Sequence, residues 1–274
     1  MRWSKIKNII ILLLLVVNVF LLALVGLRAW RTQQNQRETR ERMITVLANN
    51  GPTFLPDEVP DRLELSPCRV TLTPVEEDMV RNLIGPITGT RTVGARTTYT
   101  GFLGEATFSA SGTMDVRFFS GARPLGDDDP DAYAAQLLAG LGVTVQGAGR
   151  DAGGVEGAVT YTQFWAGAPV PEQTLTLTWT GGDLTALTGR RLAGTAENLS
   201  VSGEAITAST ALLRFLEALN REGYVCSQVT GLYAGYAAAG TGTVTLTPVW
   251  YVETDAWPWR FTVDGYTGAV TAAE

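Results

Sequence analysis

The 274-residue sequence has no histidine, and its only lysines are Lys5 and Lys7. Without histidine the chain cannot form a Ser-His-Asp or Cys-His catalytic group, a histidine-ligated zinc site or an imidazole switch near neutral pH. Because no lysine follows residue 7, the rest of the chain also has no Schiff-base or P-loop lysine. Only carboxylate chemistry is left, so the sequence predicts a protein that is not an enzyme and binds no cofactor.

Acidic residues outnumber basic residues beyond the first thirty positions. From Arg31 onward the chain holds 17 arginines against 27 acidic residues, a formal balance of −10, and every acidic residue lies at or after Glu38. Binding to phosphate backbones needs a basic face, so nucleic acid is not an expected partner. An acidic, nearly lysine-free composition with 45% hydrophobic residues suits an exported domain with a sizeable core.

A long uncharged run lies near the N-terminus. Residues 8–27 read NIIILLLLVVNVFLLALVGL, and a helix of twenty residues is about 30 Å long, which matches the hydrocarbon core of a bilayer. Trp3 and Trp30 flank the run together with basic residues, as is typical of membrane interfaces. The run exceeds the usual apolar region of a cleaved signal peptide, the alternative interpretation, so it predicts an uncleaved single-pass anchor in the lipid bilayer.

The orientation of the anchor is predicted from its flanks and from the acidic remainder of the chain. Arg2, Lys5 and Lys7 favour a cytoplasmic tail at residues 1–7, although arginines also follow the run. The large acidic part without cytoplasmic chemistry decides the question in favour of export. We therefore expect a cell-membrane protein with a cytoplasmic N-terminus and an extracellular C-terminal domain.

Residues 28–60 are predicted to form a helical stalk and a linker. The stretch 31–49 has no proline or glycine, and its short apolar face consists of Met43, Ile44 and Leu47. Asn50-Gly51-Pro52 ends this helix, and later prolines mark an extended linker. The stalk can serve as a solvated spacer or as a partner-binding coil.

Three blocks, each a helix followed by strands, make up the remainder. The first is predicted to open with a capping box at Thr73-Pro74-Val75-Glu76, the second opens at Asp129-Pro130, and the helix of the third ends at Gly223. Strands are predicted in the first block near 97–102, 106–110 and 113–119, and in the third near 224–231, 243–252 and 259–263. This order predicts an α+β fold with helices on one face of antiparallel sheets, divided into a first region, 61–200, and a C-terminal module, 201–274.

A few further residues are candidates for a site. Cys68 and Cys226, the only cysteines, can form a disulfide in an oxidising exterior or remain two separate buried thiols. Asp127-Asp128-Asp129 lacks the spacing of a calcium loop and predicts a loop that ends in a helix cap, so no metal site is expected. Aromatic residues near the C-terminus are expected to fill a core rather than form a ligand platform: Trp250, Tyr251, Trp257, Trp259 and Tyr266.

Two stretches of the sequence resemble a known family. The N-terminus, MRWSKIKNIIILLLLVVNVFLLAL, combines a W-S-K-x-K tail with an apolar anchor that carries Asn18 just before its last apolar cluster. Residues 206–254 combine a helix, a small-residue loop and a P-x-W strand with Pro248 and Trp250. Together they resemble the YycI-type regulatory proteins associated with the WalK (YycG) histidine kinase of low-GC Gram-positive bacteria. The second stretch is also similar to the PepSY-type module of exported regulators.

The resemblance implies a non-enzymatic membrane regulator in a two-component system that serves cell-wall homeostasis. Its partners would be a WalK/YycG-like membrane histidine kinase and a YycH-like companion protein, and its exported region would consist of repeated PepSY-like modules. The amide of Asn18 is either a tolerated polar group or makes an interhelical hydrogen bond worth about 1 kcal/mol. In the second case, the predicted contacts with the kinase are Trp3, Leu14, Leu15, Asn18, Leu21 and Leu22.

A binding module is the alternative function. In that case the exported part binds a peptide or inhibits a protease, and the helix acts only as a tether. The two functions differ in whether the exported part works without its helix.

Overall fold

The structure of the chain is a computed structural model that describes residues 13, 14, 17, 52–55, 59–60, 62–126, 129–146, 156–201, 203–257 and 259–273. Between residues 52 and 273, the described residues form two sheets and three helices, which confirms the predicted α+β class. In chain order the elements are β1 (Thr53–Phe54), β2 (Cys68–Leu72), α1 (Glu77–Ile84), β3 (Ile87–Val93), β4 (Arg96–Gly101), β5 (Gly104–Ser109), β6 (Thr113–Phe118), α2 (Pro130–Ala139), β7 (Thr144–Gln146), β8 (Gly157–Trp165), β9 (Ala168–Thr180), β10 (Asp183–Arg190), β11 (Gly194–Asn198), α3 (Ala208–Glu222), β12 (Gln228–Ala239), β13 (Thr243–Thr254), β14 (Arg260–Asp264) and β15 (Val270–Ala273).

The eight-stranded sheet consists of two meanders in the order β3-β4-β5-β6-β10-β9-β8-β7, joined where β6 pairs with β10. Alternating residues of its strands point to one face, as expected for a sheet buried on one side. On β9, Leu175, Leu177 and Trp179 are fully buried there, and α1 and α2 supply the opposing apolar side chains. The first two predicted blocks therefore share one sheet and one core.

The seven-stranded sheet has the order β1-β12-β13-β14-β15; β2 joins it by pairing with β13, and β11 pairs with β2. Strand β13 pairs with β12 along one edge, whereas its other edge is divided between β2 and β14. The helix α3 packs on this sheet, and its buried Phe215 meets Phe261 edge to face at 5.1 Å between ring centroids. This sheet holds the candidate site described below.

Two of the three helices begin at a residue whose side chain caps the helix. Asp129 caps α2 by accepting a hydrogen bond from the backbone N–H of Ala132 at 2.9 Å, as the sequence predicts. Thr207 caps α3 in the same way, and Gly223 ends that helix in the left-handed region at φ +76°.

The predicted capping box at Thr73 is wrong. The first helix begins only at Glu77, after Glu76, which makes no side-chain cap. The N–H and the hydroxyl of Thr73 both donate to the carbonyl of Ala193 and so extend the pairing of β2 with β11. Thr73 therefore makes a long-range contact with the backbone of Ala193, whereas its local sequence pattern predicts a helix cap.

The two sheets do not follow the division at 200/201 that we expected from the sequence. Strands β2 and β11 lie before residue 200, yet both belong to the seven-stranded sheet with the C-terminal strands. The eight-stranded sheet with its two helices is thus inserted between β2 and β11. No local sequence pattern predicts this pairing, because β2 and β13 lie more than 170 positions apart in the chain.

The sheets are held together by a third apolar cluster, and the side chain of Gln163 makes two hydrogen bonds near the passage between them. The cluster includes Val70 and Val244 of one sheet and Val170 of the other. The side chain of Gln163 donates to the carbonyl of Arg190 at 2.6 Å and accepts from the N–H of Leu192 at 2.8 Å. These bonds fix the chain where it passes from the eight-stranded sheet to β11.

Candidate interaction site

Most of the predicted membrane contacts lie outside the described residues. Trp3, Leu15, Asn18, Leu21 and Leu22 are among them, whereas Leu14 is helical with 56% of its surface exposed. Among the residues that the structure describes, no helix is both long and apolar enough to cross a membrane. The role assigned to this segment stays a prediction.

The two cysteines are free thiols in the structure. Cys68 is buried on β2 in the cluster between the sheets, whereas Cys226 is half-buried and packs against the core beneath α3. Of the two arrangements considered from the sequence, the structure has separate thiols rather than the disulfide.

The C-terminal aromatic residues divide into a buried and an exposed group. Trp250 and Tyr251 are fully buried, and the indole N–H of Trp250 donates to the carbonyl of Ile206 at 3.1 Å. Trp257 and Trp259, by contrast, are 66% and 62% exposed in the loop between β13 and β14. The expectation of a core is therefore right for the strand residues and wrong for the loop, where the chain turns away from the sheet.

Four exposed apolar residues lie at one end of the seven-stranded sheet, and we call this surface the aromatic end: Leu55, Val225, Trp257 and Trp259. The carboxylate of Asp255 accepts hydrogen bonds from the N–H groups of Ser227 and Gln228, both at 2.9 Å. This contact ties the loop that carries the tryptophans to the loop that carries Val225. The N–H of Leu55 donates to the carbonyl of Val229, which brings the end of β1 to the same place.

A group of polar side chains lies beside the aromatic end, and we call it the tyrosine cluster: Glu172, Tyr233, Tyr251, Glu253 and Arg260. The rings of Tyr233 and Tyr251 stack with their centroids 5.3 Å apart, because these residues are paired across β12 and β13. The Tyr233 hydroxyl donates to Glu253 at 3.0 Å, and Arg260 donates to the same carboxylate oxygen at 3.0 Å.

The tyrosine cluster also joins the two sheets. The Tyr251 hydroxyl donates to Oε1 of Glu172 on β9 at 2.7 Å and lies 2.9 Å from the carbonyl oxygen of Tyr236. A Cβ atom on Gly235 would lie 2.8 Å from the carbonyl oxygen of Pro169, so a residue without a side chain lets β9 approach β12.

Burial controls the acid–base behaviour of the cluster. It raises the pKa of Tyr251 and of Tyr233 well above the ordinary value near 10; Glu172 raises that of Tyr251 further, and Glu253 and Glu172 raise that of Tyr233 further. Both phenols therefore stay neutral at physiological pH and act as hydrogen-bond donors. A general base or a nucleophilic tyrosinate would need the opposite shift.

A groove of about 260 Å³ lies between α1 and α2. Its wall is mainly apolar, with Met79, Leu83 and Leu137, and Arg123 is the charged residue at its edge. The guanidinium of Arg123 donates to the carbonyls of Asn82 and Leu83, so it satisfies the C-terminal end of α1. The groove is large enough for a few side chains of a peptide.

The acidic residues do not form a metal site in the part of the chain that the structure describes, because no three ligand-type side chains converge there. Asp129 is used as a helix cap, whereas Asp127 and Asp128 lie outside the described residues.

The sequence analysis missed both the tyrosine cluster and the role of the exposed tryptophans. The exposure of the tryptophans could have been predicted from the sequence. Asp255 and Pro258 interrupt the strand pattern around Trp257, which indicates a turn. The cluster had no comparable signal, because it depends on the register between β12 and β13 and on the approach of β9.

Comparisons with known proteins give little guidance on function. No family model matches the chain, and no curated protein matches it. A solved structure of an uncharacterized protein from Eubacterium rectale is similar to this chain with a TM-score of 0.47 and 11% sequence identity, over 81% of this chain and 90% of that chain.

Proposed function

We propose that this protein is a non-enzymatic, membrane-anchored regulator of a cell-wall-related two-component histidine kinase. Residues 8–27 cross the membrane once, with the N-terminus in the cytoplasm, and the folded part lies outside the cell as PepSY-like modules. The supporting observation is the uncharged run with Asn18 in its middle and the W-S-K-x-K tail before it. The packing of helices on antiparallel sheets is compatible with such modules.

The chemistry of the described residues supports a role in binding rather than in catalysis. The tyrosine cluster pairs Glu172 with Tyr251 and Glu253 with Arg260, so its charged groups are engaged within the fold. The aromatic end, by contrast, exposes two tryptophans. Tryptophan is enriched in protein interfaces because it combines a large apolar surface with a polar N–H.

The regulator acts through side-by-side contact with the kinase in the membrane. The amide of Asn18 hydrogen-bonds a helix of the kinase, a contact worth about 1 kcal/mol. Leu14, Leu15, Leu21 and Leu22 lie one helical turn before or after Asn18 and pack around that bond. Trp3 fixes the depth of the helix at the cytoplasmic interface. A YycH-like companion protein completes the assembly.

Replacing Asn18 by leucine tests this proposal. Asn18→Leu removes the amide and keeps the apolar length of the run, so we expect weaker co-purification with the kinase and altered reporter output. Val17→Leu is the matched control, since it changes a neighbouring apolar residue outside the predicted contact set. If Asn18→Leu behaves like Val17→Leu in both measurements, the proposed contact at Asn18 is wrong.

The second candidate function is an exported peptide- or protease-binding module with a helix that only tethers it. The groove between α1 and α2 favours this function, because apolar grooves with a few polar groups accept peptides. Expression of residues 28–274 without the anchor separates the two functions. Full activity of the released part supports the module, and loss of activity supports contact within the membrane.

A further inference from the structure

The aromatic end is the largest concentration of exposed apolar side chains in the described fold. Of the nine large apolar residues that the structure exposes between residues 52 and 273, four lie at this end. Val225 is 80% exposed, Trp257 66%, Trp259 62% and Leu55 47%. A concentration of exposed apolar residues of this kind often contacts another part of a protein or a partner.

The chain enters the fold at the aromatic end. The strand β1 runs parallel to β12 and pairs Thr53 with Gln228, the first residue of β12. The N–H of Thr53 donates to the carbonyl of Ser227 at 2.8 Å, two residues after Val225. Both strands start here and run away from this end, so Pro52, the described residue before Thr53, lies on the side of the tryptophans.

The segment that precedes Thr53 carries a matching apolar pattern. Besides Val46, its large apolar residues between the arginine-rich stretch and Asn50-Gly51-Pro52 are Met43, Ile44 and Leu47. Five residues separate Leu47 from Thr53 along the chain, and the six steps between them reach about 20 Å when extended. All three side chains can therefore come to the aromatic end without any change in the described fold.

The charges at the two surfaces are also complementary. Beside the aromatic end, Glu222 pairs with Arg221 and Glu253 pairs with Arg260, which leaves Asp255 to give this rim a negative balance. The stretch 37–42, RETRER, has three arginines and two glutamates and is net positive. A negative rim favours this segment over an anionic lipid surface.

We propose that the aromatic end binds the chain's own segment 43–47, with Met43, Ile44 and Leu47 packed against Trp257, Trp259 and their neighbours. The contact fastens the folded part to the segment that leads from residues 8–27. This inference goes beyond the proposed function and needs no kinase.

Limited trypsin digestion of the full-length chain in detergent micelles tests the proposal, because Arg42 adjoins the docking residues. When cleavage is slow relative to docking, the cleavage rate follows the fraction of molecules in which the segment is undocked. Trp257→Ser/Trp259→Ser removes the docking surface, so we expect cleavage after Arg42 to become about tenfold faster. Mass spectrometry of the fragments identifies the cleaved bond. The tryptophans are exposed, and thermal unfolding followed by circular dichroism confirms that the variant is folded.

A reciprocal variant and a matched control make the test decisive. Met43→Ser/Ile44→Ser/Leu47→Ser is expected to speed the same cleavage to a similar extent and leaves residues 52–273 untouched. Combining both sets should add no further increase, because each removes the same contact. Phe102→Ser/Phe119→Ser alters two other exposed aromatic residues and should leave the rate unchanged.

Three results would overturn the proposal. Unchanged cleavage after Arg42 in both variants shows that the segment is not docked. An effect of the tryptophan variant that disappears on dilution of the protein identifies a second copy as the occupant. An effect seen in phospholipid nanodiscs but absent in micelles identifies the lipid surface.

Discussion

The hydroxyl of Tyr251 donates a hydrogen bond of 2.7 Å to Oε1 of Glu172, and this bond joins strand β13 to strand β9 of the other sheet. Tyr251 is fully buried, whereas Glu172 is exposed, so the carboxylate keeps its hydration while it accepts the buried phenol. The two sheets thus meet at a polar contact as well as in the apolar cluster around Val170.

Removing this hydroxyl should destabilise the fold moderately. Tyr251→Phe keeps the stacked ring but loses the bond to Glu172, so we expect the free energy of unfolding to fall by about 1 kcal/mol. Urea denaturation followed by circular dichroism measures the change. The control is Tyr99→Phe, which removes another tyrosine hydroxyl from a half-buried strand position. An equal loss in both variants would mean that the bond between the sheets contributes nothing specific.

The tyrosine cluster should make the fold sensitive to alkaline pH. Burial raises the pKa of Tyr233 and Tyr251 in the folded chain, whereas an unfolded tyrosine titrates near 10. Below about pH 10 both states are protonated and the stabilisation is complete. Above about pH 10 the unfolded state loses protons that the folded state retains, so the free energy of unfolding falls as the pH rises.

Urea titrations between about pH 8 and pH 11 check this expectation. The decline should become shallower in Tyr251→Phe and shallower still when Tyr233→Phe is added, because each variant removes one group with a raised pKa. Identical slopes in the unsubstituted chain and the double variant would show that other groups cause the alkaline loss.

Local patterns predicted much of the secondary structure but not its assembly. The strands β4, β5, β6 and β13 agree with their predicted positions to within about two residues, because each alternates or is bounded by clear turns. The second half of β12, rich in alanine and glycine, carried no such pattern and was missed. It becomes a strand because β13 supplies its hydrogen-bond partners along the full length.

The candidate site was harder to predict than the fold. Tyr233 and Tyr251 become neighbours only through one strand register, and Glu172 joins them only because Gly235 admits β9. The strand β2 was likewise out of reach, since its partners β11 and β13 lie more than a hundred residues away. Such contacts come from tertiary packing and leave no periodic trace in a single sequence.

Arg191 should be a major stabilising residue although it is far from the candidate site. The residue is 5% exposed, and its guanidinium donates to the carbonyls of Leu141 at 2.6 Å and Thr73 at 2.8 Å. Burial lowers the pKa of Arg191, partly offset by Glu76. Arg191→Leu removes the donors to the buried carbonyl of Leu141 and to the carbonyl of Thr73, so we expect a loss of about 3 kcal/mol in the free energy of unfolding.

The matched control is Arg117→Leu, since the side chain of Arg117 is 79% exposed and its pairing with Asp115 is long at 3.6 Å. This change should alter the free energy of unfolding by less than about 0.5 kcal/mol. Both variants are compared by urea denaturation. If Arg191→Leu is as stable as Arg117→Leu, the two carbonyls must find other donors.

The two cysteines should react with thiol reagents in a fixed order. Cys226 is half-buried and Cys68 only 3% exposed, and burial raises the pKa of both thiols, with Asp255 raising that of Cys226 further. Without reductant, a maleimide should therefore modify Cys226 slowly in the folded chain and reach Cys68 only after unfolding in urea. Mass spectrometry of tryptic peptides identifies each modified residue, and Cys226→Ser isolates the reaction of Cys68. Modification of neither residue in urea until a reductant is added would instead show the disulfide between Cys68 and Cys226.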